Sequence, residues 1–350
     1  MKHMKKLDEK QRAILFVVIM IAVLFAFAAS MMLIGRYLPD APLQDSFLEN
    51  TKEDDFARRE VLQTIKLDKK KYNIYHKFKT YLFMGTDASG NENAEGDAYQ
   101  GSMADFLLLV VFDQTDKTYG FLQFNRDTMT EIPMMQSDGT AYASAEQQLC
   151  TAHWYGGDKK QSAENTVHTV SKLLGGIRID GYYVISMSEI PNLNHYIGGV
   201  EVTLEEDFTK FDSTMTKGKT LKLTDEQAEI YLHNRYGVGD ETNASRMKRQ
   251  KQYMDSLFTA IKAKTSADAN FGTKMFRDFK EKVTSDITMK QVARIGNDLK
   301  NGTSMGVLTI QGEDKEGKAL GDNLVHAEYY LDATSLVETM TKLYQIEEAE

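Results

Sequence analysis

Residues 104–127 read ADFLLLVVFDQTDKTYGFLQFNRD. Two apolar runs, 104–113 and 117–125, are joined by Gln114, Thr115 and Asp116, a connection short enough to fold them into an antiparallel hairpin. Apolar residues fill nearly every position, as in a strand buried by its neighbours. The second run then ends abruptly in Arg126 and Asp127, a fixed cation beside a fixed anion.

The hairpin brings charge together. If Asp113 pairs near Lys117, paired position numbers sum to about 230 and Asp105 lies opposite Asn125, beside Arg126. Antiparallel neighbours are about 5 Å apart, so an acid and a base converge on one edge of the sheet. The preceding apolar run, KTYLFMGTDASG (79–90), reads as a buried strand ending in Asp87. Asp87 reaches the same edge if its strand runs in the direction of the one ending at Arg126. Two readings stand for these residues. Asp105 and Arg126 are a strand-end ion pair, or Asp87 and Asp105 supply oxygens to Mg²⁺, a hard cation that takes carboxylates and keeps several waters.

Outward from the hairpin, helices alternate with strands. Residues 162–174 predict a helix stopped by Gly175 and Gly176, and GYYVISM (181–187) predicts a strand. GGVEVTLEEDF (198–208) and KGKTLKL (217–223) carry alternating, β-branched character. Thr224 with Gln227 opens a further helix as a capping box. A longer helix follows over 245–263, with Met254, Leu257, Phe258 and Ile261 as its core stripe. Later come the strand-like SMGVLTIQG (304–312) and a last helix, DATSLVETMTKLYQ (332–345). The alternation argues for an α/β domain over most of the chain.

Between two of these helices stands HNRYGVGDETNASRMKRQ, 233–250. Arg246, Arg249 and Gln250 fall at i, i+3 and i+4 on one face of the helix first turn, with Arg235 across a glycine-containing loop. A helix N-terminus carries free N–H groups and partial positive charge, so cations there are unfavourable unless an anion joins them. Arginine meets phosphate oxygens bidentately. The cluster reads as a phosphate pocket, with a solvated helix face as the plain alternative.

At the other end of the chain, AILFVVIMIAVLFAFAASMMLI (13–34) contains no charged residue. As a helix at about 1.5 Å per residue it spans roughly 30 Å, a bilayer core. Lys2, Lys5, Lys6, Lys10 and Arg12 precede it, which places the N-terminus in the cytoplasm. AFA at 26–28 resembles a signal-peptide cleavage site, but the apolar run continues through Ile34, which suits an uncleaved anchor. The expected organisation is a cytoplasmic tail (1–12), a transmembrane helix (13–35), a charged, partly helical juxtamembrane stalk (36–78) and an extracytoplasmic domain (79–350). The protein is then a single-pass membrane protein working outside the cell membrane.

Composition bounds the rest. A formal net charge of −9 over 350 residues argues against a general nucleic-acid binder. The one cysteine, Cys150, excludes an intramolecular disulfide and reads as a small packed residue. His76, His153, His168, His195 and His326 are too scattered for a zinc site. Trp154 and Tyr155 line a crevice or form a packed aromatic corner.

These motifs, in order, resemble the LytR-CpsA-Psr (LCP) proteins of bacterial cell envelopes. YLFMGTDAS (81–89) resembles the family's first strand with its acidic residue, MADFLLLVVFD (103–113) its Arg-Ser-Asp-Thr region, and FNRDTMTEIP (124–133) its Pro-Arg-Asp-Thr motif. TAHWYGG, IGGVEVTLEEDF, KGKTLKLTDEQAEIYLHNRY and SRMKRQ follow in family order, so the motif-bearing part is 80–260. The resemblance implies a central mixed sheet sandwiched between helices, and a transferase moving a glycopolymer from an undecaprenyl-pyrophosphate carrier onto peptidoglycan. By the same resemblance, Asp87 and Asp105 hold Mg²⁺ (or Mn²⁺), while Arg126, Arg235, Arg246, Arg249 and Gln250 bind the diphosphate. Asp127 orients the motif, and Arg126, Asp127 and Asp105 form the catalytic group.

Three positions depart from the family pattern. Met103 and His233 stand where it has arginines, and Asn243 where it has an acid, with Asp240 the nearest carboxylate. Two alternatives to a transferase follow. One is a non-catalytic module that binds polyprenyl (pyro)phosphate; the other is an anchored structural or regulatory protein without a ligand.

Overall fold

The computed structural model describes residues 60–349, apart from 88, 93–98, 137, 235–236, 242–244, 246–248, 250–251, 254–255, 258, 261–262, 265–266 and 269–270. The expected tail and membrane helix lie outside the described residues. So do Met254, Phe258 and Ile261 of the expected core stripe. Among the described residues no helix is long and apolar enough to cross a membrane.

Among the described residues the central sheet has six strands: β3 (Phe78–Thr86), β4 (Ala104–Asp113), β5 (Thr118–Gln123), β8 (Gly181–Ser186), β11 (Val283–Ser285) and β12 (Thr303–Leu308), while β6 (Met129–Met135) and β7 (Ala141–Gln148) pair with each other outside it. Their order is β11-β8-β3-β4-β5-β12. The sheet is mixed: β3 pairs β8 in parallel and β4 antiparallel, β4 pairs β5 antiparallel, and β5 pairs β12 in parallel. The β4–β5 register sets Asp113 opposite Thr118 and Leu108 opposite Gln123, one position from the pairing expected from the sequence.

The unbroken apolar run of β4 serves two cores. Successive strand side chains point to opposite faces. Leu107, Leu109 and Val111 join one cluster, while Leu108, Val110 and Phe112 join the other. The first face is covered by α1 (Lys159–Leu173) and the C-terminal helix Ala333–Tyr344, through Ala163, Val170, Met340 and Leu343. The second is covered by the helix Met289–Asn301 through Val292, Ile295 and Leu299. A sheet buried on both faces has no reason to alternate polar with apolar, hence the sequence of β4.

A third cluster lies apart from these two. It gathers α2 (Ile190–Ile197), the short pair β9 (Glu201–Thr203) and β10 (Thr220–Lys222), α3 (Asp225–His233), and Tyr253 and Leu257 of the following helix. The capping box at Thr224 and Gln227 is formed as expected. α1 begins three residues before its expected start, at Lys159, because the Asp158 carboxylate accepts the Gln161 N–H at 2.7 Å and caps it.

The stalk reading needs correction over its last part. Residues 63–74 are not helical. They form a hairpin, β1 (Gln63–Leu67) and β2 (Lys70–Ile74), and β2 also pairs with Glu347–Glu348 near the C-terminus. Ile65, Leu67, Tyr72 and Ile74 are buried in the main core. The period-2 alternation is present in QTIKL and KKYNI, but lysines on the outer face dominate the composition and hide it.

Candidate active site

β3 and β5 flank β4 and both run antiparallel to it, so they point the same way. The C-terminal ends of β3 and β5 and the N-terminal end of β4 therefore share one edge. The condition for bringing Asp87, Asp105 and Arg126 to one place is met. Arg126 sits in a tight turn after β5. The Asn125 side chain accepts the Asp127 N–H at 2.9 Å, and its carbonyl accepts the Thr128 N–H at 3.1 Å. Two outside segments pin this turn: Cys150 N–H donates to the Arg126 carbonyl at 3.0 Å, and Tyr329 N–H donates to the Asp127 carbonyl at 2.8 Å.

The Arg126 guanidinium is surrounded on three sides. Nη1 is hydrogen-bonded to Asp105 Oδ1, and the buried Nε faces Asp127 Oδ1 at 3.4 Å with no hydrogen bond to any described residue. Nη2 donates to the Cys150 sulfur at 3.1 Å and approaches the Met103 sulfur at 3.4 Å. The side chain keeps 23% of its exposure, so the group is reachable from solvent. Burial works against the cation, but Cys150, Asp105 and Asp127 together hold its pKa above the ordinary range. Burial pushes the Cys150 thiol up to about 12, against the pull of Arg126, so the sulfur is an uncharged acceptor at neutral pH.

Asp87 is fastened to the start of β4. Its N–H donates to the Met103 carbonyl at 3.0 Å, and its Oδ1 accepts from the Met103 N–H, the Ser89 N–H and the Ser89 hydroxyl at 2.7–3.0 Å. Behind this loop, His153 is buried and its Nδ1 donates to the Ser102 carbonyl at 2.8 Å, which leaves Nε2 without a hydrogen-bond partner among the described residues. Burial holds the ring below the ordinary histidine range, against the Ser102 bond. Trp154 and Tyr155 are half-buried, with ring centroids 6.2 Å apart, and the Tyr155 hydroxyl donates to Gln147. They form a packed corner.

Of the second expected cluster, Arg235, Arg246 and Gln250 lie outside the described residues, as does Asn243. Arg249 is described, and its guanidinium is engaged within the third core. Nε donates to the Tyr231 carbonyl at 3.1 Å, Nη2 to the Asn234 carbonyl, and Nη1 to Glu206, with the cation over the Phe208 ring at 5.4 Å. At 4% exposure it ties the end of α3 to Glu206. The helix-face argument from spacing missed this because Glu206 is 43 residues away in sequence. Beside Arg249 opens a cleft of about 290 Å³ lined by Glu205, Glu206, Tyr231 and Asp240, in which Asp240 accepts the Ser245 hydroxyl.

This edge can be set beside known proteins. The family model described as LytR_cpsA_psr matches residues 47–345. The chain belongs to the LytR_cpsA_psr family. Among curated relatives of this LCP protein, Biofilm regulatory protein A of Streptococcus mutans is 28% identical over 191 residues, which is 52% of this chain and 44% of that one. The polyisoprenyl-teichoic acid–peptidoglycan teichoic acid transferase TagU of Bacillus cereus is 25% identical over 205 residues, 57% of this chain and 59% of that one. The LCP chain thus spans about half the length of the curated relatives it matches. The solved structure of protein gbs0355 from Streptococcus agalactiae shares the fold, with a TM-score of 0.57 and 19% identity over 78% of this chain and 90% of that chain.

Reasoning from sequence missed two features here. Cys150, read as mere packing, touches Arg126. The other is at the opposite edge of the sheet, where His76, Asp113 and Asp116 bring their ligand atoms within 4.8 Å of one another. His76 Nδ1 bonds Asp113 at 2.7 Å, and Gln345 donates to both carboxylates at 3.0 Å. Only the hairpin turn at 114–117 hinted that Asp113 and Asp116 would be neighbours.

Proposed function

We propose that this LCP protein is a membrane-anchored phosphotransferase that moves a glycopolymer from an undecaprenyl-pyrophosphate carrier onto peptidoglycan. The observation that carries this reading is Arg126, reachable from solvent, with Asp105 on Nη1 and Asp127 facing Nε. A plain strand-end ion pair needs one acid. Among the described residues, the carboxylates of Asp87, Asp105 and Asp127 gather at this edge around the Arg126 guanidinium. A diphosphate entering that field needs a divalent cation beside it. TagU's name as a polyisoprenyl-teichoic acid–peptidoglycan teichoic acid transferase supports the same chemistry.

The donor set suits Mg²⁺ (or Mn²⁺): carboxylate oxygens, partly exposed, at adjoining strand ends. Asp87 and Asp105 would hold the ion, which would supply charge stabilisation to the diphosphate oxygens. Arg126 would bind the phosphate next to the sugar and take the charge that grows as an acceptor hydroxyl attacks that phosphorus. The bond from that phosphorus to the bridging oxygen breaks, polyprenyl phosphate leaves, and the hydroxyl proton passes to solvent. Such transfer depends chiefly on positioning and charge stabilisation, so a strong base is not required. Arg235, Arg246 and Gln250 would complete the grip on the diphosphate. Asp127 would orient the Arg126 turn, and Arg249, bonded to Glu206 and to the Tyr231 and Asn234 carbonyls, would hold the end of α3 rather than touch substrate.

A second reading has one observation in its favour. Met103 places a neutral thioether against Arg126 where the family pattern has an arginine, which would reduce charge stabilisation and leave binding to the other arginines. Biofilm regulatory protein A, a relative named as a regulator, fits a binding module as well as an enzyme. Asp105→Ala separates the two in the full chain in detergent. An enzyme loses metal-dependent turnover of a polyprenyl-pyrophosphate saccharide while still binding it; a binding module has no turnover to lose.

A further inference from the structure

We propose that Cys150 is a positioning residue that locks the Arg126 guanidinium in its working orientation, with Met103 as the second wall of a sulfur cradle. The inference rests on the reading of Arg126 as the diphosphate-binding cation and adds to it how that cation is held.

Cys150 meets Arg126 twice, at its backbone carbonyl and at the far end of its side chain. Its backbone N–H donates to the Arg126 carbonyl at 3.0 Å, and its sulfur accepts from Nη2 at 3.1 Å. The two contacts close a ring that contains every rotatable bond of the arginine side chain. Cys150 itself does not move freely: it is fully buried in the short 3₁₀ turn Leu149–His153, and the neighbouring Leu149 N–H donates to Thr128 at 2.7 Å on the other side of the motif. Arginine carries a large rotamer entropy, and a guanidinium already oriented loses less of it on meeting an anion.

The choice of atom matters. An arriving diphosphate competes with the Asp105 carboxylate for Nη1, so that contact must loosen when substrate binds. A contact on Nη2 to an uncharged sulfur is not in that competition. A thiol is a weak acceptor that adds no charge, where a third carboxylate would add to the negative charge that Asp105 and Asp127 already place there. Nη2 on Cys150 and Met103 is therefore a fixed pivot about which Nη1 exchanges its partner.

The test uses the full-length chain in detergent with Cys150→Ala, Cys150→Ser and Met103→Leu. Inorganic pyrophosphate with Mg²⁺ is the probe, titrated by calorimetry, and selectively ¹⁵N-arginine-labelled protein reports on Nη. Cys150→Ala is expected to weaken pyrophosphate about tenfold, the loss of one hydrogen bond to a charged group. It should also merge the separate Nη signals that a held Arg126 shows in the wild type. Cys150→Ser, which restores an acceptor, is expected to recover both; a residue that only packs would be rescued no better by serine than by alanine. Met103→Leu should keep the Nη signals separate. Unchanged Nη signals and affinity in Cys150→Ala would overturn the proposal. If Arg126→Ala leaves pyrophosphate binding unchanged, the functional reading of Arg126 fails, and the Nη signals alone then decide whether Cys150 holds it.

Discussion

The backbone N–H of Asp87 donates to the Met103 carbonyl at 3.0 Å, and the Met103 N–H donates back to the Asp87 carboxylate at 2.9 Å. This exchange joins the end of β3 to the start of β4 and fixes one carboxylate two residues from Asp105. Asp87 has two separable roles, as hydrogen-bond acceptor and as charge. Asp87→Asn keeps the acceptor, so it is expected to hold its unfolding midpoint while losing affinity for Mg²⁺. Asp87→Ala is expected to lose both, with about 1–2 kcal/mol of stability. Urea unfolding alongside metal titration checks the pair.

Arg249 is expected to act on stability first. Arg249→Met leaves Glu206 and two helix-end carbonyls without their donor in a nearly closed setting, a loss of about 3–5 kcal/mol. Adding Glu206→Gln should recover part of it. Equal loss in the single and double variants by chemical denaturation would show that the pair is not coupled.

The β1–β2 hairpin belongs to the domain. Ile65 is 1% exposed and packs in the main core, so Ile65→Ala is expected to cost about 2–4 kcal/mol. A chain beginning at residue 79, where the stalk reading would start the domain, is expected to fail to fold, while one beginning at 60 folds. Circular dichroism and thermal melts of the two truncations decide.

His153 sets an acid limit. Its pKa is lowered in the folded protein by burial, while in the unfolded chain it titrates near the ordinary value of about 6.5. Below that value the unfolded state binds a proton that the folded state refuses. The stability His153 contributes is therefore full above about pH 6.5 and is lost as the pH falls through it. Melting temperatures between pH 5 and 8 should drop toward acid more steeply in the wild type than in His153→Gln.

How far the sequence could be read is itself physical. The β4–β5 register came within one residue because a short turn leaves the two strands little freedom to slip. That register brought Asp105 to Arg126, and the direction of β3 brought Asp87. Contacts set by distant segments were out of reach. Glu206 on Arg249, Cys150 on Arg126, and Gln345 on Asp113 and Asp116 depend on packing that no local spacing encodes. The β1–β2 hairpin shows the converse: a short alternating signal was present, but the charge on its outer face outweighed it.

The most direct experiment follows release of polyprenyl phosphate from a polyprenyl-pyrophosphate saccharide by the full chain in detergent, with and without Mg²⁺, beside Arg126→Ala. Release that requires the metal and falls at least a hundredfold in Arg126→Ala, about 2.7 kcal/mol of lost transition-state stabilisation, is the expected result. Release at an equal rate in Arg126→Ala, or equal rates with and without metal, would contradict the assignment of this sheet edge as the reacting site.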